Sequence, residues 1–227
     1  PTDGRVTIVG NLLAHIMERN PLSRGKQMVF VNNVVYNRQN MDVDLQSADG
    51  RVTSTSLVGN VFIRGADYSR SENKPVSLRT DPTLGVPRGS KVYLADNAAV
   101  EGSSTDAWAV VSTNTGTSLG SYKARAPPTW PAGLTALPTQ NNAVLNKVLN
   151  FAGARPADRD SVDRRVVQSV RDRTGRIINC VSADGTARCN LNAGGWPTLA
   201  QNRRTLTIPS DPNTVTASGY TKLEVWL

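Results

Sequence analysis

One pattern recurs four times in the first hundred residues. A short apolar run is followed by a small or polar residue, an asparagine, and a second short apolar run. The copies are TIVGNLL (7–13), VFVNNVVY (29–36), SLVGNVFI (56–63) and, more weakly, KVYLADNA (91–98). Their asparagines, Asn11, Asn33, Asn60 and Asn97, step by 22 (33 minus 11), 27 (60 minus 33) and 37 (97 minus 60) residues. A step near 22 with two or three short strands per step suits a coil of parallel β-helix. Such a coil cannot bury its inward face alone and must stack on its neighbours. Asn at the bend tolerates the left-handed conformation, and its amide can hydrogen-bond the same Asn on the next coil. A β-sandwich also places strands at short intervals, but its strands alternate more strictly and end in tight turns. The repeat therefore predicts an all-β chain, with residues 1–126 forming coils of a parallel β-helix. The unequal steps are absorbed in loops on one face, such as the polar stretch from Arg64 to Lys74, expected to be exposed.

Beyond residue 100 the character changes. Glu101 to Ser121 is rich in Ser, Thr and Gly and reads as loop, with a strand around Trp108–Val111. Ala126–Pro131 (APPTWP) is an extended, stiff linker into a C-terminal extension, residues 127–227. Two helices are expected there, over Asn141–Phe151 and Ala157–Arg173. In the second, Val162, Val166, Val167 and Val170 share one face while Arg159, Arg164, Arg165, Arg171 and Arg173 occupy others. Pro156 and Asp158 suit its start and Gly175 its end. A solvated basic face around a buried Val stripe is the plainest reading of it. The tail, with Trp196, Tyr220 and Trp226, reads as irregular chain packed back on the body.

The chain has 26 Lys+Arg against 18 Asp+Glu, a net charge of +8, which calls for a polyanionic partner. The cations are spread along the sequence and the aromatics are not interleaved with them, which argues against nucleic acid. No apolar run approaches the roughly 20 residues of a membrane span. The two cysteines, Cys180 and Cys189, flank Asp184-Gly185, a strong hairpin signal. A disulfide across that hairpin is expected, and with it a secreted or periplasmic setting. The sequence opens Pro1-Thr2-Asp3-Gly4 and enters strand-like sequence at once. A processed chain, completed by a separate N-terminal chain, is the expectation drawn from that start.

The segment most suggestive of chemistry lies between the first two repeats: HIMERNPLSRGK, residues 15–26. Arg19, Arg24 and Lys26 fall within eight residues, where one coil passes into the next. Pro21 fixes the backbone between the arginines. Guanidinium forks grip carboxylates bidentately, so this cluster suits an acidic ligand.

Arg19-Asn-Pro21-Leu-Ser-Arg24 matches the Arg-x-Pro-x-x-Arg motif of the pectate lyases, the first family of polysaccharide lyases. Asn11–His15 (NLLAH) and Val31–Asn37 (VNNVVYN) are similar to that family too. The stretches Gly153–Asp163, Gly194–Pro197 (GGWP) and Gly219–Glu224 resemble the C-terminal region of its bacterial members. The resemblance implies a right-handed parallel β-helix that cleaves α-1,4-polygalacturonate by β-elimination. It implies that Arg19 abstracts the C5 proton of the uronic acid and that Arg24 binds the substrate carboxylate. Lys26 and His15 join Arg24 as expected substrate-binding residues, although His15 suits a supporting or packing role better than a titrating one. Arginine is an unusual base, with a reference pKa above about 12. Nearby positive charge disfavours its protonated form.

In the same family Ca²⁺ neutralises the substrate carboxylate, and its acidic ligands lie on coils that precede the arginine motif. The Ca²⁺ ligands are therefore expected on the N-terminal portion, with no metal ligand on this chain. Asp42, Asp44 and Asp49 cluster after the motif but do not match the family's ligand positions. As loop acids near the Asp49-Gly50 turn, they are expected to be solvated. Two other functions remain open on these residues: a lyase or depolymerase for another acidic polysaccharide, and a non-catalytic carbohydrate-binding β-helix.

Overall fold

Period-two alternation in each short run decides the architecture. In the computed structural model, which describes residues 4–47, 49–68, 74–99, 106–153, 156, 159–177 and 209–226, the runs form twelve strands. Four of them, β1 (Arg5–Val9), β4 (Gln27–Val31), β7 (Ser54–Val58) and β10 (Lys91–Ala95), make a first parallel sheet. A second contains β2 (Leu12–Ala14), β5 (Val34–Tyr36), β8 (Val61–Ile63) and β11 (Ala98–Ala99). The third contains β3 (Leu22–Ser23), β6 (Val43–Leu45), β9 (Val76–Leu78) and β12 (Val111–Thr113). Every third strand joins the same sheet, so the chain winds through all three sheets once per coil, as in a parallel β-helix.

The register is continuous from coil to coil. Val29 pairs with Thr7 on one side and Ser56 on the other; Val35 pairs with Leu13 and Phe62; Leu45 pairs with Ser23 and Leu78. Residues of one parity therefore stack inward. Phe30, Leu57, Val35, Phe62, Val43, Leu45, Val76 and Leu78 form the central core. Removing each such side chain from water stabilises the fold by roughly 1.5–3 kcal/mol. Trp108, Val110 and Tyr122 close the core beside the last coil.

The asparagine ladder is complete. Asn11, Asn33 and Asn60 each send both the backbone N–H and the side-chain amide N–H to the Oδ1 of the next Asn, at 2.9–3.2 Å. Each amide also caps a strand carbonyl one coil back: Asn33 reaches Ile8, Asn60 reaches Phe30 and Asn97 reaches Leu57. The left-handed residue is not the ladder Asn but the one before it. Gly10, Asn32, Gly59 and Asp96 have φ of +70°, +53°, +64° and +51°. Gly, Asn and Asp are the residues that accept this region at least cost. At Gly59 space adds a second demand, because a Cβ would lie 2.4 Å from the Asn32 amide nitrogen.

The extension covers two of the three outer faces. Leu12, Ala14, Val34, Tyr36, Val61 and Ile63 point out of the second sheet. Packed on them are α1 (Ala143–Phe151) and α2 (Ser161–Asp172), through Val144, Val148, Leu149, Val167 and Val170. The Pro-rich linker runs along the first sheet: Ser56 Oγ donates to the Thr129 carbonyl at 2.8 Å, and the Asn32 amide exchanges two bonds with the backbone of Leu137.

Several local expectations shift. The strand around Trp108 is a 3₁₀ turn, Ala107–Val110, capped by Asp106, and β12 begins only after it. Helix α1 begins two residues later than expected and α2 four, because Asp160 is the cap: its Oδ1 accepts the N–H groups of Val162 and Asp163, both at 2.8 Å. In the loop after Arg64, Gly65, Asp67 and Tyr68 are half-buried while Ala66 and Lys74 are exposed as expected, and the Arg64 guanidinium is stacked 4.3 Å over Tyr68; residues 69–73 lie outside the described residues. The tail forms a short helix, α3 (Lys222–Trp226), and Tyr220 is 61% exposed rather than packed back. Cys180, Cys189 and Trp196 lie outside the described residues, and with them the expected disulfide. Among the described residues no helix is long and apolar enough to cross a membrane.

Candidate functional site

The third sheet differs from the other two in what it points outward. Its pairing aligns Leu22, Asp44, Ser77 and Ser112 across successive strands. Two residues further along lie Arg24, Gln46, Arg79 and Asn114. Apart from Leu22 these side chains are polar, with Asp44, Gln46 and Ser77 buried and Arg24 and Asn114 exposed above them, and the expected arginines stand at the first-coil edge.

Arg24 does not swing freely. Its Nε and Nη2 both donate to Gln46 Oε1, at 2.9 and 2.7 Å. Gln46 is held in turn, its Nε2 donating to Asp44 Oδ2 at 2.5 Å. That bond fixes the amide with oxygen toward Arg24. On the far side of Asp44, Arg79 Nε lies 3.6 Å from Oδ1. Burial pushes the Asp44 pKa up; the Gln46 bond and the charges of Arg79 and Arg19 pull against it, while Glu18 pushes the same way as burial. Asp44 therefore feels Arg19 and Arg79 directly, and Arg24 is tied to it only through the Gln46 amide.

Arg19 sits on a turn with φ of +67°, immediately before the cis Asn20–Pro21 peptide. Its side chain is 56% exposed and its Nε lies 3.3 Å from Glu18 Oε1. Glu18 also accepts from the Asn40 amide at 3.3 Å. Beneath this turn Asn20 is buried, its N–H bonded to the Asp42 carbonyl. Asp42 makes a fully buried ion pair with Arg38 at 2.9 Å, and the Arg38 guanidinium lies 4.7 Å over Tyr68. Removing one partner of such a pair typically costs about 3–5 kcal/mol, so the support of the Arg19 turn is stiff.

The other two expected substrate residues lie apart from this cluster. Lys26 is exposed at the corner before β4, its carbonyl accepting the Ser54 N–H at 2.9 Å. His15 follows β2 directly and meets the extension at α2. The Asn37 Nδ2 donates to its Nδ1 at 2.9 Å, and its Nε2 lies 2.7 Å from Ser169 Oγ on α2. Asn37 is oriented by Asp67, whose N–H it accepts and whose carboxylate it donates to. His15 thus carries its proton on Nε2 and gives it to Ser169, whose own hydroxyl donates to the Val166 carbonyl. That tautomer is the reverse of a Ser–His catalytic pair, in which the imidazole accepts from the hydroxyl. Burial lowers the His15 pKa, Asp67 raises it and Arg165 lowers it. Burial likewise raises the Asp67 pKa, but bonds from Ile177, Asn37 and Arg176 outweigh it and hold the carboxylate below its usual range.

Asp42 and Asp44, expected to be solvated, are both buried. The reason is the coil: Asp42 directly precedes β6 and Asp44 lies within it, so both become part of a wall between stacked coils. Asp49 behaves as expected, exposed and paired with Arg51 at 2.9 Å. Gln46, Asp44, Arg79 and Glu18 are site residues that motif reading misses. The 22-residue step contains the signal, because it carries His15 onto Asn37, Glu18 onto Asn40 and Arg24 onto Gln46, and all three pairs are hydrogen-bonded.

The donor set does not suit a metal ion. Among the described residues no three of His, Cys, Asp and Glu come together, and Asp44 is already engaged by a guanidinium and an amide. Ca²⁺ finds no ligand set on this surface. Compared with known proteins, the chain matches no protein-family model and no curated protein.

Proposed function

We propose that the third sheet and the Arg19 turn form the arginine half of a pectate lyase site, which cleaves α-1,4-polygalacturonate by β-elimination on a right-handed parallel β-helix. The observation that carries this reading is the paired state of the arginines. Arg24 is pre-oriented by a fixed amide, as a carboxylate-binding fork should be, while Arg19 is exposed on a stiff turn at the same edge.

In this reading a uronate carboxylate docks on the Nη atoms of Arg24 that Gln46 leaves available. Neutralising that carboxylate acidifies the adjacent C5–H. Arg19, once released from Glu18 and deprotonated, takes the C5 proton. The C5–H electron pair becomes the C4–C5 double bond, the C4–O bond breaks, and the departing oxygen takes a proton from solvent. The Glu18 contact holds the side chain near the edge until a substrate carboxylate competes for it. The reading is of a Ca²⁺-dependent reaction: Ca²⁺, when bound, would add to the neutralisation of the substrate carboxylate, and its acidic ligands are assigned to a separate N-terminal chain rather than to these residues. Secretion, or export to the periplasm, follows from a polymeric extracellular substrate.

The test is the ultraviolet absorbance of unsaturated products from polygalacturonate, with Ca²⁺ and again with a chelator. Arg19→Lys should abolish product formation while polymer binding persists. Binding without turnover in the wild type would favour a carbohydrate-binding β-helix instead, and turnover confined to a different uronate polymer would favour a depolymerase of another specificity.

A further inference from the structure

The basic stripe of α2 takes no part in the site just described, yet a groove of about 550 Å³ runs along it. Arg159, Ser161, Arg164, Arg165, Gln168 and Arg171 line this groove, four cations and no acid, with Val167 at its floor. From Ser161 to Arg171 they follow helical spacing on one outward face about 15 Å long. Arg159, Arg164 and Arg171 each donate to a neutral oxygen. Arg159 donates Nε and Nη2 to the Ala152 carbonyl at 3.1 and 2.7 Å, Arg171 donates to Asn150 Oδ1 at 3.0 Å, and Arg164 donates to the Arg159 carbonyl. Such anchors aim the cations without neutralising them. The acids nearby are turned to other tasks: Asp160 caps the helix, Asp172 takes the Gln168 amide at 2.8 Å, and Asp163 lines a neighbouring hollow.

We propose that this groove is a second binding site for an acidic polysaccharide, on the helix that covers the second sheet rather than on the third sheet, and gripping successive uronate carboxylates of one strand. The assignment rests on the lyase reading for the identity of the polymer. Regularly spaced carboxylates suit a row of arginine forks. A single-stranded nucleic acid suits it less well, because the lining holds no aromatic side chain on which bases could stack. A second grip on the same polymer raises its effective concentration at the third sheet without any new contact there. Short oligomers, unable to reach both places, gain nothing.

The experiment compares the full chain with Arg164→Glu/Arg171→Glu and with the milder Arg164→Gln/Arg171→Gln, each checked for an unchanged melting curve. If the charge-reversed pair fails to fold, the Gln pair decides. Polygalacturonate affinity is measured by affinity electrophoresis and calorimetry at two salt concentrations, and turnover is measured on a trigalacturonide. The expected result is polymer binding weakened by roughly tenfold, as loss of two partly exposed charge contacts implies, a shallower salt dependence, and unchanged trigalacturonide turnover. Unchanged polymer affinity in folded variants with retained cleavage would overturn this proposal and leave the lyase reading standing. Wild-type protein that neither binds nor cleaves polygalacturonate would remove both. Displacement of polygalacturonate by a single-stranded DNA of equal charge at lower concentration would reassign the groove to nucleic acid and overturn the proposal.

Discussion

The outer faces of the second and third sheets are built on the same coils, share the same inner core, and have opposite fates. On the second, every outward side chain from Leu12 to Ile63 is apolar or Tyr, and two helices bury Val34, Tyr36, Val61 and Ile63 and partly cover Leu12 and Ala14. On the third, the outward rows hold Asp44, Gln46, Arg79 and Arg24, and these groups bind one another. A parallel β-helix needs only its inward positions for the core, so each outward row is free to specialise. One face became a second core and the other a charged surface. Changes on the helix-covered face should therefore appear as lost stability, and changes of the exposed arginines on the charged face as lost function at nearly constant stability.

The sharpest test of that division is Arg19→Ala. Loss of a positioned base is expected to lower turnover of polygalacturonate by roughly 10²–10⁴-fold. The exposed pair with Glu18 contributes at most about 1 kcal/mol, so the melting temperature should barely move. A large fall in stability with activity retained would break the comparison at its strongest point. The converse is Ile63→Ala. Ile63 is fully buried between the second sheet and the helices, and truncation should cost about 2–5 kcal/mol. Denaturant unfolding would register that loss, while the Michaelis constant stays within about twofold.

Gln46→Leu probes the charged face at an intermediate level. It frees Arg24 and strips Asp44 of its amide partner. The released fork should raise the Michaelis constant roughly tenfold, equivalent to about 1.4 kcal/mol, with a smaller change in the turnover number. The orphaned Asp44 oxygen should cost about 1–3 kcal/mol of stability. A fall in turnover number with an unchanged Michaelis constant would mean that Arg24 does not bind the ground-state substrate.

The coils are legible in the sequence because the ladder residue must be the same at every step: an amide that both accepts from one neighbour and caps another leaves Asn no substitute. The left-handed position beside it is harder to place, since Gly10, Asn32, Gly59 and Asp96 share a conformation and not a side chain. The site is legible only in its arginines. Asp44 and Gln46 carry no motif; they acquire meaning through the residues one coil away, and sequence distance hides that contact unless the 22-residue step is applied to every polar residue. The His15 network is hidden for a further reason. Ser169 lies 154 residues away, and no periodicity connects a coil to a helix in the extension.

That network yields the smallest expected effect and a way to separate the two faces by pH alone. His15 is pinned as the neutral Nε2–H tautomer between Asn37 and Ser169, edge-on to Tyr36 with ring centroids 5.2 Å apart. A second proton would have to go on Nδ1, against an amide hydrogen of Asn37 that Asp67 does not allow to turn away. Burial depresses the folded-state pKa below the unfolded value near 6.5. The unfolded chain therefore binds the proton first. Stability is full above about pH 6.5 and falls as the pH drops from there toward the lowered folded-state value. Asp67 opposes the effect and Arg165 reinforces it. Amide exchange should report loosening of α2 over this window, since Ser169 is its contact, while the backbone of β6 and β9 stays protected. In His15→Gln, which has no proton to gain, the pH dependence of α2 exchange should flatten. If the wild-type slope survives that substitution, another group holds the helix to the second sheet, and the pH response belongs to it.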